Sequence, residues 1–307
     1  MSRLVAAIRS QPWAILPEWL AAIEEIALRI EGGDSVARIA FDGHAERLAE
    51  FEAAAGERVP GTRSAVMAAD GVAMVPFIGP IMPRATLMSE LSGGVSAEGL
   101  GADLAALDAS RDVRRIALIV DSGGGAVAGI SRLAAQIAAM RTPIIAHVEG
   151  TAASAAYWLI SQTREISIDP TAQVGNIGVI MSGQRQEAPD SSGRRVYEVV
   201  SSNAAAKRPD LSTEEGQALI REVTDAIEAE FIEAVASGRG VSADVVKRDF
   251  ATKYLRVGHD AKAAKMADRV EYRSAAIDRL AKQIAPTAPK RTIAEASQAV
   301  AQLRASL

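Results

Sequence analysis

Two short segments of this 307-residue chain combine residue types suited to acyl transfer. Ser154 stands among Ala152, Ala153, Ala155 and Ala156, so its hydroxyl has small neighbours and room for a substrate carbonyl. The run Asp121-Ser122-Gly123-Gly124-Gly125 places three glycines together, which lets the backbone approach a bound group and turn N–H donors toward a developing oxyanion. Each segment also has a plainer reading: a serine capping its own helix, and a tight turn from strand to helix. Neither phosphate-loop spacing, GxGxxG or GxxxxGK[ST], occurs at the glycines.

A serine hydroxyl is a poor nucleophile until a base takes its proton. The chain has no cysteine, which removes thiolate chemistry, disulfides and cysteine-held metal clusters, and its three histidines leave little room for a multi-histidine metal centre; no cofactor is expected. His147 lies in an apolar strand, where a lone histidine is more often a satisfied core residue than a base. His44 and His259 fall outside the sheet. Lysine serves as a base when desolvation disfavours its ammonium form. Lys207, which closes the small uncharged run Ser201–Ala206, fits that role better than the lysines of polar helices, though a solvated loop lysine beside Arg208 is an equally ordinary account.

The elements that must position these residues read as alternating α/β. Apolar runs Ile116–Val120 and Pro143–Val148 flank a helix from about Val127 to Met140, a βαβ unit with parallel strands and a right-handed crossover. Loops that leave the carboxyl ends of such strands carry function, and both candidate segments are such loops. Gly150–Ser154 opens a further helix to about Gln162, and short strands are expected at Ile166–Ile168, Ile177–Met181 and Val196–Val200. Asp70-Gly71 between apolar runs predicts a hairpin. Leu16–Glu31 has helical spacing, with Pro17 at its start and Gly32-Gly33 at its end. A second helical pattern spans Ser35–Ala55, and a long helix Ser212–Ser237 carries Leu219, Val223, Ile227, Phe231 and Val235 at four-residue spacing. The chain thus divides into an amino-terminal helical region (1–60), a main α/β domain (61–284) and a tail (285–307).

A net charge of −4 argues against nucleic acid as the default partner. No stretch reaches 18 uncharged apolar residues, so no membrane span is expected and the reading is cytoplasmic.

Taken in order, these motifs resemble the Ser/Lys peptidases of the signal peptide peptidase A (protease IV) family, in its phage head maturation branch. Asp121–Val127 is similar to that family's Asn-Ser-Pro-Gly-Gly loop, Ala152–Tyr157 to its nucleophile segment, and Val174–Val179 to its Thr-Gly-Ser-Ile-Gly-Val strand. Lys207 follows a serine-rich stretch, as the family's base does. The resemblance covers roughly Ala65 to Tyr272. It implies a Clp-protease-like, crotonase-related fold, with Ser154 as nucleophile, Lys207 as base and an oxyanion hole from N–H groups near Gly125 and Ala155. Substrate would add as an extended strand, and a homo-oligomer is expected. Gly123 stands where the family has proline and Ala156 where it often has glycine. Asn176 replaces the serine that orients the lysine, and an amide there can still accept a proton from the amine. The absence of an amino-terminal anchor points to a capsid protease acting on scaffold, portal or capsid proteins. A soluble signal-peptide-peptidase-like bacterial protease and a non-catalytic capsid scaffold of the same fold are the alternatives. A crotonase-type acyl-CoA enzyme would share the fold but require neither Ser154 nor Lys207.

Overall fold

The computed structural model describes residues 3–33, 51, 56–69, 71–85, 94–183 and 199–284. Its frame is a mainly parallel sheet built from apolar runs that are buried on both faces. Strand β3 (Val72–Ile78) is buried throughout, as is nearly all of β6 (Arg115–Ser122) and the first half of β8 (Ile144–Ala153). Alternate side chains go to opposite layers. Ala73, Val75, Phe77, Leu118 and Val148 join the larger core, whereas Val72, Met74, Ala117, Ile119 and Ile145 pack under the carboxyl-terminal helix through Ala276 and Leu280.

Strands β3, β6 and β8 run parallel side by side, and β2 (Val66–Ala69) closes one edge as the antiparallel hairpin partner of β3. Gly71 turns that hairpin at φ +78°, as its sequence predicts; Asp70 lies outside the described residues. Beyond β8 the sheet forks. The first half of β8 pairs with β9 (Glu165–Ile168) and its last residues with β10 (Gln173–Gly175), both parallel. Strand β11 (Leu255–Val257) pairs antiparallel with β10, and β12 (Arg269–Val270) parallel with β9. A second, smaller sheet of β1 (Trp13–Ile15), β7 (Gly124–Ala126), β4 (Ile81–Met82) and β5 (Val95–Ser96) stands at the carboxyl ends of β3 and β6.

The βαβ unit is present as β6, helix Ile130–Ala139 and β8. The helix begins later than its apolar pattern because Gly129, at φ +89°, caps it. The expectation that Gly150–Ser154 opens a helix is corrected: β8 continues through Ala153, because its last residues pair with β10, and the helix starts at Ala155. Ile177–Met181 is not a strand either, since only Ile180 makes a bridge, and that bridge is to Trp13. Of the run Val196–Val200 only Val199 and Val200 are described; they are not in a strand, and Val199 is exposed. The amino-terminal helix Pro17–Glu31 and the long helix Glu214–Arg239 match their expected spans closely. Most of the second helical pattern and the tail from 285 lie outside the described residues.

The long helix is docked on the site side of the sheet. Phe231 stacks on Trp158 with ring centroids 4.7 Å apart and 7° between planes. At its end, Arg239 is held by Asp268 and by the Lys265 carbonyl.

Candidate active site

Ser154 sits where β8 turns abruptly into the helix Ala155–Ile160. Its backbone has φ 53° and ψ −120°, a conformation that costs a non-glycine residue about 1–3 kcal/mol. The surroundings over-determine it: the Ser154 N–H donates to the Gly175 carbonyl at 2.8 Å, and its carbonyl accepts the first helical bond, from Trp158. Ala152, Ala153, Ala155 and Ala156 are fully buried around it, so the small residues are what allow the chain to turn this sharply inside the core. The hydroxyl is not a helix cap; Oγ donates to the Gly178 carbonyl at 3.3 Å. The chain thus makes a sharp strand-to-helix turn at a buried serine.

The glycine loop is built by its two polar residues and by close approaches. Ser122 Oγ donates to the Gly79 carbonyl at 2.7 Å and accepts from the Gly124 N–H at 3.3 Å. The Asp121 carboxylate accepts the Thr151 N–H at 3.0 Å, bridging the point where the β6–β8 register shifts. A side chain at Gly150 would run into that carboxylate, so Asp121 and Gly150 form one device that sets the glycine loop beside the Ser154 turn. Gly125 lies against the Ile81 carbonyl, and Gly124, at φ +102°, lies between Ala14 and Ala153. Gly123 faces the indole of Trp19, three of whose ring carbons lie 2.6–2.7 Å from where a Cβ would stand. That explains the glycine at a position where the resembled family has proline.

Lys207 ends a single 3₁₀ turn, Ala205–Lys207, and its side chain is exposed. Asn176 occupies φ 53°, a left-handed conformation that asparagine tolerates, directly after Gly175, whose carbonyl holds Ser154. His147 is buried away from this turn, Nδ1 2.8 Å from Ser167 Oγ and Nε2 3.2 Å from Asp169 Oδ1 without hydrogen-bond alignment. Burial pushes its pKa down to about 4; Glu271 opposes that shift, while Arg273 and Arg279 add to it. A neutral, enclosed imidazole of this kind is a core residue.

Two neighbours of the site were not legible as such in the sequence. Glu228, on the long helix, has Oε1 3.6 Å from where a Cβ of Gly178 would lie, and burial, with Asp225 nearby, raises its pKa against the pull of Lys247. Its place among other charged helical residues concealed it. The other is β1, whose Trp-Ala-Ile is too short a run to carry a strand period, yet it pairs with the glycine strand β7.

The mainly parallel sheets with their packed helices form a Clp protease-like α/β fold, and the Clp protease profile matches residues 84–167. The profile of peptidase family S49 matches residues 137–285, a segment that holds both Ser154 and Lys207. The chain is also 29% identical over 188 residues to the head-tail preconnector protein GP5 of Enterobacteria phage P21, a match that covers 59% of this chain and 37% of the relative. The chain therefore spans little more than a third of that relative's length. Among the described residues no helix is long and apolar enough to cross a membrane.

Proposed function

We propose that this chain is a serine endopeptidase of phage capsid maturation that works through a Ser154–Lys207 dyad. The observation that carries the reading is the strained elbow at Ser154, a conformation with an energetic cost that a merely structural serine would not need. The match of residues 137–285 to a peptidase family and the likeness to a phage head-tail preconnector protein support it.

In this reading a substrate strand pairs with the edge of β7 and brings a peptide carbonyl over Ser154. Oγ attacks the carbonyl carbon while neutral Lys207 Nζ takes the hydroxyl proton. The oxyanion is met by N–H groups of Gly125 and Ala155, one in a glycine strand and one at the first residue of a helix. As the C–N bond breaks, Lys207 returns the proton to the leaving amine, and water hydrolyses the acyl-enzyme. A lysine base works unprotonated, so desolvation of the exposed Lys207 by bound substrate is part of the mechanism, with Asn176 as a candidate to orient it. Scaffold, portal or capsid proteins are the proposed substrates, a homo-oligomer the proposed assembly and the procapsid the proposed place of action.

The exposure of Lys207 favours a second reading, a capsid scaffold that keeps the fold without catalysis. Incubating wild type, Ser154→Ala and Lys207→Ala with a peptide library and identifying products by mass spectrometry separates the two. Cleavage by wild type alone is expected. Cleavage retained in Ser154→Ala would overturn the nucleophile assignment, and no cleavage by any chain would favour the scaffold.

A further inference from the structure

The edge of β7 that this mechanism assigns to substrate is already taken, by the chain's own amino-terminal segment. Strand β1 runs antiparallel to β7 with Trp13 opposite Ala126, Ala14 opposite Gly125 and Ile15 opposite Gly124. On its other side Trp13 exchanges both backbone bonds with Ile180, at 2.9 and 2.8 Å. The segment thus lies between the glycine strand and the stretch that follows Asn176 and Gly178, the latter being the partner of Ser154 Oγ.

The ladder fixes which groups meet. Leu16 N–H donates to the Gly123 carbonyl at 2.8 Å, and Val127 N–H donates to the Pro12 carbonyl at 3.2 Å. Antiparallel pairs alternate between bonded and non-bonded, so Ala14 and Gly125, midway between these two, form the bonded pair. The Gly125 N–H, proposed above as an oxyanion donor, therefore points at the carbonyl of Ala14. Gly124 ties this peptide to the nucleophile turn: a Cβ there would meet the Ala14 carbonyl and, at 3.0 Å, Ile15 Cα on one side and the Ala153 carbonyl on the other. Trp13, Ala14 and Ile15 are buried, and so is Ser154.

We infer that Pro12–Leu16 is a resident substrate mimic, which a substrate strand must displace to reach Ser154, and that the substrate residue aligned with Gly125 is small, as Ala14 is. This rests on the peptidase reading of the site. The segment is held by more than its ladder: Trp13 Nε1 donates to the Ile8 carbonyl at 2.7 Å, Trp13 and Ile15 pack with Leu20, Ile23 and Ala27, and Glu18 accepts from Tyr254 at 2.8 Å. A tethered competitor of this kind acts at an effective concentration in the millimolar range, so a free peptide of micromolar affinity is held back about 100-fold or more.

The test uses a fluorescent peptide of residues 10–17 and reads its binding by anisotropy in the Ser154→Ala chain, which lacks the proposed nucleophile. Adding Ala14→Glu puts a charge at a fully buried position and releases β1; adding Trp19→Ala instead loosens the same segment through a side chain that is only half buried. The peptide is expected to bind each released variant at least about tenfold more tightly than the Ser154→Ala parent, and the same peptide with glutamate in place of its alanine is expected not to bind. Circular dichroism establishes that the variants are folded. Equal peptide binding in parent and released variants overturns the inference. Gained binding together with a Ser154 that stays unmodified when the Ala14→Glu chain with Ser154 intact is treated with a serine-reactive fluorophosphonate would instead leave the mimic standing and remove the peptidase reading.

Discussion

Among the described residues His147 is the one histidine inside the sheet, and its enclosure sets a definite pH dependence. An unfolded chain protonates this imidazole at about 6.5, whereas the folded chain does so at about 4. As pH falls below 6.5 the unfolded state takes up a proton that the folded state refuses, so stability is lost progressively down to about pH 4 and no further below it. A displacement of this size corresponds to about 3 kcal/mol. The groups facing the ring are Ser167 and Asp169 on β9 and beyond it, with Glu271, Arg273 and Arg279 acting at longer range. Asp169 and Glu149 have carboxyls raised by burial and contribute with the opposite sign, so the effect must be isolated by difference. Urea unfolding of wild type and His147→Asn between pH 7 and pH 4 does so. The stability advantage of wild type over the variant should shrink by about 3 kcal/mol across that window. A difference that stays flat would mean the imidazole titrates in the fold as it does in water, and it would return His147 to the candidates for a catalytic base.

Further outcomes follow from individual contacts. Gly123→Ala should cost about 1–3 kcal/mol in urea unfolding, because its Cβ meets the Trp19 ring, and the same substitution made in a Trp19→Ala chain should cost little relative to that chain. Phe231→Ala removes the ring stacked on Trp158 and should destabilise by about 3–5 kcal/mol, read by chemical denaturation. Asp268→Asn leaves the nearly buried Arg239 guanidinium without its charge partner and should cost about 3 kcal/mol at pH 7. Burial pushes the Asp268 carboxyl up, but the bonds from Arg239 and from the Ile166 N–H hold it below its ordinary value. The wild-type advantage should therefore persist above about pH 4 and fade as pH drops through the folded-state value.

The sheet was readable in advance because Val72–Ile78 and Ile116–Val120 are unbroken apolar runs and Ile144–Val148 is interrupted only by His147, the composition of strands buried on both faces. Ser154 and the glycine loop were readable because their neighbours are small. The local path at Ser154 was not: Gly150–Ala153 has a helix-opening composition, and pairing with β10 decides its conformation instead. Asp121 looked like one more loop residue until Gly150 and Thr151 were brought against it by the register shift between β6 and β8. Trp13–Ile15 is three residues long, and its partners Ala126 and Ile180 lie more than a hundred residues away, so no local pattern could mark it as a strand.

The central claim is that Ser154 is a nucleophile activated by Lys207. Its most direct test is reaction with a fluorophosphonate probe, followed by mass spectrometry of the labelled residue, in wild type, in the β1-released Ala14→Glu chain and in Lys207→Ala versions of both. A single adduct on Ser154 is expected, formed faster when β1 is released and about 100-fold or more slowed without Lys207. An adduct on another serine, or labelling of Ser154 that is indifferent to Lys207, would contradict it.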